Sequence, residues 1–146
     1  MSYDFHYSPF DILDYHSFVA PQLDPRTRRI MGAKAFLRGP AWTARLNGEI
    51  MACWGFAPMH SGVAEAWAMF NPKLQELKLT RYTVRVTKKV FSAIVASGLY
   101  HRIHGLCPED FKRGRRLMEH LGMHFEGVML KFGPNQETWV RYVIFP

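Results

Sequence analysis

The stretch CPEDFKRGRRLMEHLGMHFEG, residues 107–127, decides the fold of this chain of 146 residues. It predicts a helix that begins at Pro108, because proline suits the first helical position. Glu109 and Asp110 follow in the first turn, where carboxylates favour the positive end of the helix dipole. Gly122 is typical of the residue just past a helix end, and the residues after it predict a strand.

The helix within this stretch is predicted to have an apolar face and a basic face. Gly114 lies on the apolar face and indicates close packing against a neighbour or a ligand, because glycine has no side chain. The basic face is either solvated or a contact for tRNA, DNA or an acidic protein, and a solvated face is the simpler interpretation. The apolar face is expected to be buried and comprises Phe111, Gly114, Leu117, Met118 and Leu121. The basic face comprises Lys112, Arg113, Arg115 and Arg116.

Towards the amino end, residues 100–106 predict a short strand, and residues 79–98 predict a long helix that ends at Gly98. One side of this helix is apolar and the other is basic. The basic side is either a solvated surface or an anion site, since backbone N–H groups at a helix start also attract anions. The apolar stripe consists of Val84, Thr87, Val90, Phe91, Ile94 and Val95. The opposite side consists of Arg81, Arg85, Lys88 and Ser92.

Three strands are predicted before the long helix. Asn47 and Gly48 form the strongest hairpin signal in the chain and join strands over residues 41–46 and 50–56. A second turn signal follows, so VAEAWAMF at residues 63–70 is predicted to be the third strand of an antiparallel meander.

The outer segments complete the predicted order of strand, helix, helix, three strands, helix, strand, helix and two strands. Ser8 is expected to cap the first helix, with Pro9 at its first position. The remaining predicted elements are a strand over residues 4–7, the first helix ending near Val19, a second helix from Asp24-Pro25 to Gly39-Pro40, and strands over residues 124–132 and 138–145.

Composition limits the class of protein. A chain of 146 residues with 48% hydrophobic residues can build one compact domain, which we expect to span residues 1–146. The formal charge of +7 favours a polyanionic partner such as nucleic acid, a phosphorylated cofactor or an acidic protein. The sequence shows neither a membrane-spanning run nor a signal peptide, so a cytoplasmic protein is expected. Both cysteines are expected to stay reduced, and no metal site is predicted.

The predicted order of elements resembles the GNAT superfamily of acyl-CoA-dependent N-acyltransferases over nearly the whole chain. The segments WTARLNGEIMACWGF and VAEAWAMF look like the central strands of that family. The segment RRLMEHLGMHFEGVM is similar to its closing helix, its helix stop and the strand that follows. The resemblance implies an α/β (α+β) fold with a single GNAT-like domain, in which about four helices flank a mixed central sheet of about seven strands.

The resemblance also implies acetyl-CoA as the cofactor. In this family two neighbouring parallel strands part, and the pantetheine arm lies in the opening against exposed backbone. The phosphates would lie near the start of the long helix, where backbone donors and the helix dipole favour negative charge. The residues implied in cofactor binding are Trp67, Ala68, Met69, Phe70, Lys78, Arg81, Arg85, Phe111 and Gly114.

The chain departs from the family pattern in two places. No glycine lies between Gly62 and Gly98, where the family has a glycine-rich loop whose backbone approaches the phosphates. Charged side chains would have to replace that loop, and they restrain a phosphate less tightly. Met118 stands where the family has a tyrosine acid, and methionine cannot donate a proton.

Glu65 is the best candidate for a general base, by its place on the strand beside the implied opening. Strand alternation puts it on a face with three apolar residues, and the sequence leaves open whether this carboxylate meets the core or the solvent. Tyr82, Cys107 and His60 are weaker candidates for acid or base. For Cys107 a small buried side chain is the simpler interpretation.

Two functions stay open from the sequence. The first is transfer of an acetyl group from acetyl-CoA to an amine of a protein or a small molecule. The alternative is a catalytically silent GNAT-fold protein, similar to the small GNAT-like proteins of short-tailed bacteriophages. Such a protein would bind a host or virion protein, or less expectedly nucleic acid, and would be found in the host cytoplasm or the virion. The sequence indicates neither the acceptor substrate nor the oligomeric state.

Overall fold

The computed structural model describes residues 4–23 and 32–146. Within these residues the chain forms seven strands and several helical segments. The strands are β1 Phe5–Pro9, β2 Ala41–Leu46, β3 Glu49–His60, β4 Val63–Phe70, β5 Arg102–Pro108, β6 His124–Met129 and β7 Trp139–Ile144. The helical segments are α1 Ile12–Asp14, a π-helical turn Tyr15–Val19, α2 Ala20–Gln22, α3 Ala33–Leu37, α4 Lys73–Glu76, α5 Thr80–Ala96 and α6 Lys112–His120.

The strands form a mixed sheet in the order β1-β2-β3-β4-β5-β7-β6. β4 and β5 are parallel, and the chain between them passes through α4 and α5, as a parallel pair needs a long connection. The pairs β1 with β2, β2 with β3, β5 with β7, and β6 with β7 are antiparallel. The predicted mixed sheet of seven strands is confirmed.

The described residues group into two compact units. The first contains the described residues up to Ala57 together with Trp67–Thr83, and the second contains Pro58–Ala66 and Val84–Pro146. The interpretation of residues 1–146 as one domain stays a prediction. Core residues of the first unit form two clusters, one of Tyr15, Val19, Phe36 and Cys53, the other of Leu46, Met51 and Leu74.

The glycine signals in the sequence are confirmed where backbone conformation depends on them. Asn47 and Gly48 join β2 to β3 and have positive φ angles of 51° and 84°, as a two-residue I′ hairpin turn requires. Gly98 and Gly122 follow the ends of α5 and α6 with φ angles of 74° and 91°. Glycine adopts this left-handed conformation without a steric penalty, so both helices end as predicted.

The predicted start of the first helix is wrong. Ser8 and Pro9 lie in β1, where Ser8 pairs with Thr43 of β2, and Asp11 caps α1 instead. The backbone N–H of Asp14 donates to Asp11 Oδ1 at 2.9 Å, and the N–H of Asp11 donates to Asp14 Oδ2 at 3.4 Å. This reciprocal capping box satisfies two N–H groups at the helix start. Pairing with β2 keeps the chain extended through Pro9, so the helix begins after it.

The predicted start of the last helix is also wrong. Pro108 is the final residue of β5, opposite Trp139 of β7, and α6 begins at Lys112 after Phe111. Proline is tolerated at a strand end, because its missing N–H removes no bond from the interior of the ladder. Pairing with β7 therefore extends the strand past the point where the sequence signals a helix.

The connections before β2 and after β4 each contain a short helix. The helix start predicted at Asp24-Pro25 lies outside the described residues, while α3 occupies the end of that predicted helix. The connection after Asn71 contains the unpredicted helix α4. The N–H of Lys73 donates to Asn71 Oδ1 at 3.0 Å, and this side-chain bond starts the turn.

The long helix α5 confirms its predicted faces. Thr87 and Phe91 are buried on the apolar side, together with Thr83, which the sequence did not single out. Thr83 Oγ1 donates to the Leu79 carbonyl at 3.1 Å, which satisfies the hydroxyl in its buried place. No helix in the described part of the chain is both long and apolar enough to span a bilayer. The opposite side is exposed and consists of Arg81, Arg85, Lys88 and Ser92.

Asp14 is a buried carboxylate of the first unit, with 3% of its surface exposed. Its Oδ2 accepts a hydrogen bond from Thr43 Oγ1 at 2.7 Å, and its Oδ1 pairs with the Arg45 guanidinium. Arg45 also donates to Ser8 Oγ at 3.0 Å. These bonds, some of them charge-assisted, tie α1 to β1 and β2.

We expect Asp14→Asn to lower the free energy of unfolding by about 2 kcal/mol, because asparagine keeps the size of the side chain but leaves Arg45 without its counter-charge. Urea unfolding followed by circular dichroism measures the change. Asp11→Asn is the matched control, since asparagine caps a helix as well as aspartate does, and it is expected to cost less than about 0.5 kcal/mol. Equal losses in the two variants would contradict the importance of the buried pair.

Candidate active site

The parallel pairing of β4 with β5 is short. It covers three residue pairs, the last of which joins Glu65 to His104. β4 continues beyond this pair to Phe70, and β5 continues to Pro108. The pairing ends where the candidate base lies.

Glu65 is half-buried on β4. Burial raises the pKa of its carboxyl group above the ordinary value, because the charged form loses hydration. The sequence left open whether this side chain meets core or solvent, and the structure places it between the two. A carboxylate with a raised pKa is a stronger base, so the position suits proton removal near neutral pH.

His104 is the partner of Glu65 in the last pair of the β4–β5 ladder, and the sequence did not assign it a role. The residue is buried with 7% of its surface exposed, and its Nδ1 has no hydrogen-bond partner among the described residues. Burial lowers the pKa of the imidazole, and the positive charges of Arg102 and Arg141 lower it further. Strand alternation in the sequence marks the face of His104, but only the register shows that Glu65 is its neighbour.

An ion-pair network of Arg102, Glu126 and Arg141 lies near His104 in the second unit. The Glu126 carboxylate accepts from Arg102 Nη1 at 2.8 Å, and Arg141 Nε lies 2.7 Å from Glu126 Oε1. The hydrogen bond from Arg102, with the charges of Arg102 and Arg141, lowers the pKa of Glu126. Glu126 thus remains charged and holds both guanidinium groups in place.

The end of β4 that is implied in pantetheine binding alternates between the two core clusters of the first unit. Trp67 packs edge-on against Phe10 and Phe36, with ring centroids 5.1 Å and 4.9 Å away. Its indole Nε1 is buried and has no hydrogen-bond partner in the part of the chain that the structure describes. Met69 packs against the same cluster as Trp67, Phe70 packs against the other, and Ala68 is exposed.

The cations implied in phosphate binding are all exposed, and they flank the start of α5. Lys78 precedes the helix with a φ angle of 58°, while Arg81 and Arg85 lie one turn apart on its exposed side. The first N–H groups of a helix lack intrahelical acceptors, so this end attracts anions. Tyr82 lies in the first turn and packs edge-on against Phe5, with centroids 5.1 Å apart.

Three other candidate residues meet where β5 ends and α6 begins. A Cβ atom on Gly114 would lie 2.7 Å from the Phe111 ring and 3.5 Å from Cys107 Cβ, so this glycine is needed for close packing. Cys107 is buried, and burial raises the pKa of its thiol. Such a thiol is a weak acid and a weak nucleophile. His60 is exposed at the end of β3.

Two predictions about the faces of α6 are wrong. Phe111 is 50% exposed rather than buried, because it precedes the helix and does not follow the helical spacing. Arg115 is half-buried rather than outside. It donates to Tyr142 Oη at 3.2 Å, and this hydroxyl donates to Glu119 Oε1 at 2.9 Å. Arg115 is half-buried because it bonds to Tyr142, a buried residue of β7.

Comparison with known proteins gives the fold class. No protein-family model matches the sequence, and no curated protein matches it. Solved structures do resemble it. A GNAT family acetyltransferase from Elizabethkingia anophelis with acetyl-CoA bound has a TM-score of 0.74 at 11% identity, over 98% of this chain and 99% of that one.

Two further solved structures resemble this chain to a similar degree. A GNAT family acetyltransferase from Streptococcus pneumoniae has a TM-score of 0.71 at 10% identity, over 97% of this chain and 99% of that one. The ribosomal-protein-S18-alanine N-acetyltransferase from Escherichia coli has a TM-score of 0.71 at 13% identity, over 97% and 93% of the two chains. The chain therefore has the GNAT fold, as the sequence predicts. At these identities the likeness shows the fold alone.

Proposed function

We propose that this protein transfers an acetyl group from acetyl-CoA to an amine of a protein or a small molecule. The observation that carries the proposal is the half-buried carboxylate of Glu65, with its raised pKa, at the last residue pair of the short β4–β5 ladder. The GNAT fold of the chain supports it, since the solved structures that resemble this chain are acetyltransferases.

The chemistry requires a neutral amine. Glu65 takes one proton from the acceptor ammonium, and the freed lone pair attacks the thioester carbonyl carbon. A C–N bond forms, the C–S bond breaks, and the second proton of the nitrogen ends on the departing thiolate. Met118 cannot supply this proton, and it is buried against Gly105. An ordinary thiol has a pKa of about 8.5, so the thiolate takes up a proton near neutral pH without a dedicated acid.

The residues present offer a clearer place for the pantetheine arm of acetyl-CoA than for its phosphates. The backbone of Trp67, Ala68, Met69 and Phe70 continues β4 beyond its pairing with β5, which supports a hydrogen-bonding edge for pantetheine. For the phosphates the chain offers three exposed cations, Lys78, Arg81 and Arg85, in place of a glycine-rich loop. We therefore expect binding that is weaker and more salt-dependent than a loop of backbone N–H groups would give.

Calorimetric titration with acetyl-CoA tests the proposal, together with an assay for release of free thiol. The acceptors are spermidine, lysine and a peptide that begins with alanine. Saturable binding and thiol release that depends on one of these amines would support acetyl transfer. Absence of heat at millimolar acetyl-CoA would end it.

A catalytically silent GNAT-fold protein is the second candidate. The observation that favours it is the segment between Gly62 and Gly98, which contains no glycine and forms α4 where the family has its phosphate loop. Such a protein would act by binding a protein or nucleic acid partner through its exposed basic residues. The similarity to small bacteriophage proteins, with a host or virion partner, stays a prediction.

A further inference from the structure

The register of the sheet places Glu65 and His104 side by side. They are direct partners in adjacent parallel strands, and paired residues of a ladder project from the same face of the sheet. Neighbouring strands lie about 4.8 Å apart, so the carboxylate and the imidazole are within reach of one small polar group. They form the last pair of the ladder that joins β4 to β5.

The buried imidazole of His104 leaves one hydrogen bond unmade among the described residues. His104 is 7% exposed, and its Nδ1 has no partner among the described residues. Buried polar atoms without a partner are rare in folded proteins, because the group has lost its water and gained nothing in return. The Nδ1 atom therefore indicates a position that a polar group of a substrate fills.

Burial of His104, and then the charges that face it, favour the neutral form of the imidazole. Arg102 on its own strand and Arg141 on β7 lower its pKa, after burial itself, while Glu126 on β6 acts in the opposite direction. Glu65 on β4 has a raised pKa, from burial. A neutral imidazole carries one N–H and one bare nitrogen, so it accepts a hydrogen bond that an imidazolium cannot accept.

We propose that His104 is a second catalytic residue, whose Nδ1 accepts a hydrogen bond from the acceptor amine while Glu65 takes its proton. This inference rests on the proposed acetyl transfer. An ammonium group has three N–H donors, so one donates to Glu65 and another to His104. After one proton has passed to the Glu65 carboxylate, the bond to His104 still holds the nitrogen while the amine turns its freed lone pair towards the carbonyl carbon. His104 thus fixes the orientation of the nucleophile.

Three substitutions at one position test this role. In His104→Asn the amide oxygen occupies the place of Nδ1, whereas in His104→Gln it reaches the place of Nε2, and His104→Leu has no acceptor. We expect kcat/KM for the amine to fall about 30-fold in the Leu and Gln variants and less than about threefold in the Asn variant. Calorimetric binding of acetyl-CoA is expected to stay unchanged in all three. His101→Asn, on an exposed histidine before β5, is the control and should match the wild type.

The outcomes separate this inference from the proposed function. Acetyl transfer by the wild type with equal rates in the Leu and Asn variants would overturn the role of His104 alone. A loss in Asn as large as in Leu would also overturn it, because an acceptor at Nδ1 would then not matter. If the Leu variant does not fold, the contrast between Asn and Gln decides the question. A wild type that neither binds acetyl-CoA nor releases thiol would overturn both proposals.

Discussion

Replacement of Glu65 by glutamine is expected to lower the turnover number about 1,000-fold at neutral pH, as loss of a general base does. Glutamine keeps the shape of the side chain but cannot take a proton from the amine. The proposed role concerns the amine only, so the dissociation constant of acetyl-CoA should change less than about twofold. Thiol release under saturating substrates measures the first quantity, and calorimetry measures the second.

The pH profile gives an independent check on the same variant. Burial raises the pKa of Glu65, and the carboxylate that accepts the proton is lost as the pH falls through this raised value. The acidic limb of kcat/KM in the wild type should therefore lie above the pH at which an ordinary glutamate titrates. Glu65→Gln should lack this limb, while a limb due to the amine itself should remain in both proteins.

The control for this experiment is Glu76→Gln, which makes the same change at an exposed glutamate of α4. It is expected to keep the wild-type rate and pH profile. An unaltered rate in Glu65→Gln would remove Glu65 from the mechanism. A similar loss in both variants would indicate a general effect of charge rather than a base.

The second large effect is expected when Arg81 and Arg85 are both changed to glutamate. Each would lose its proposed charge-assisted contact to phosphate and gain a repulsive charge, so acetyl-CoA should bind at least about 100-fold more weakly. Both side chains are exposed on α5, and carboxylates near a helix start do not destabilise it. The fold should therefore be retained, which thermal unfolding checks. Calorimetry at low and moderate salt measures the affinity.

The matched control is Lys88→Glu with Lys89→Glu. These residues are exposed on the same helix, farther from its start, and the double change alters the net charge by the same amount. We expect a smaller loss of affinity than in the Arg81 and Arg85 double variant, because each residue adds about 1.5 Å of distance from the helix start and salt weakens the attraction with distance. Equal losses in the two double variants would show that net charge attracts the cofactor and that no phosphate site lies near Arg81.

Local chemistry in the sequence predicts the elements well where one or two residues determine the backbone. Asn47 and Gly48 specify the hairpin between β2 and β3, since both must take positive φ angles. Gly98 and Gly122 specify two helix ends for the same reason. The spacing of apolar residues specifies the faces of α5, because burial of one stripe stabilises a helix in any fold.

The two wrong helix starts share one cause. Ser8 and Pro108 both carry the local signals of a helix start, yet each lies in a strand. Pairing with β2 extends β1, and pairing with β7 extends β5, so hydrogen bonds to distant segments outweigh a capping preference of about 1 kcal/mol. Phe111 is exposed as a consequence, because the helix begins only after it.

The sequence by itself determined most of the succession of strands and helices and the turns that join them, since these depend on residues close together in the chain. The family resemblance, and not a local signal, made Glu65 the candidate base. Only the tertiary structure decided that His104 lies beside Glu65 and that the charges of Arg102, Glu126 and Arg141 act on His104. The physical reason is that register between strands is set by burial and by hydrogen bonds across the whole sheet. A chemical environment made by segments far apart in the chain has no local signal.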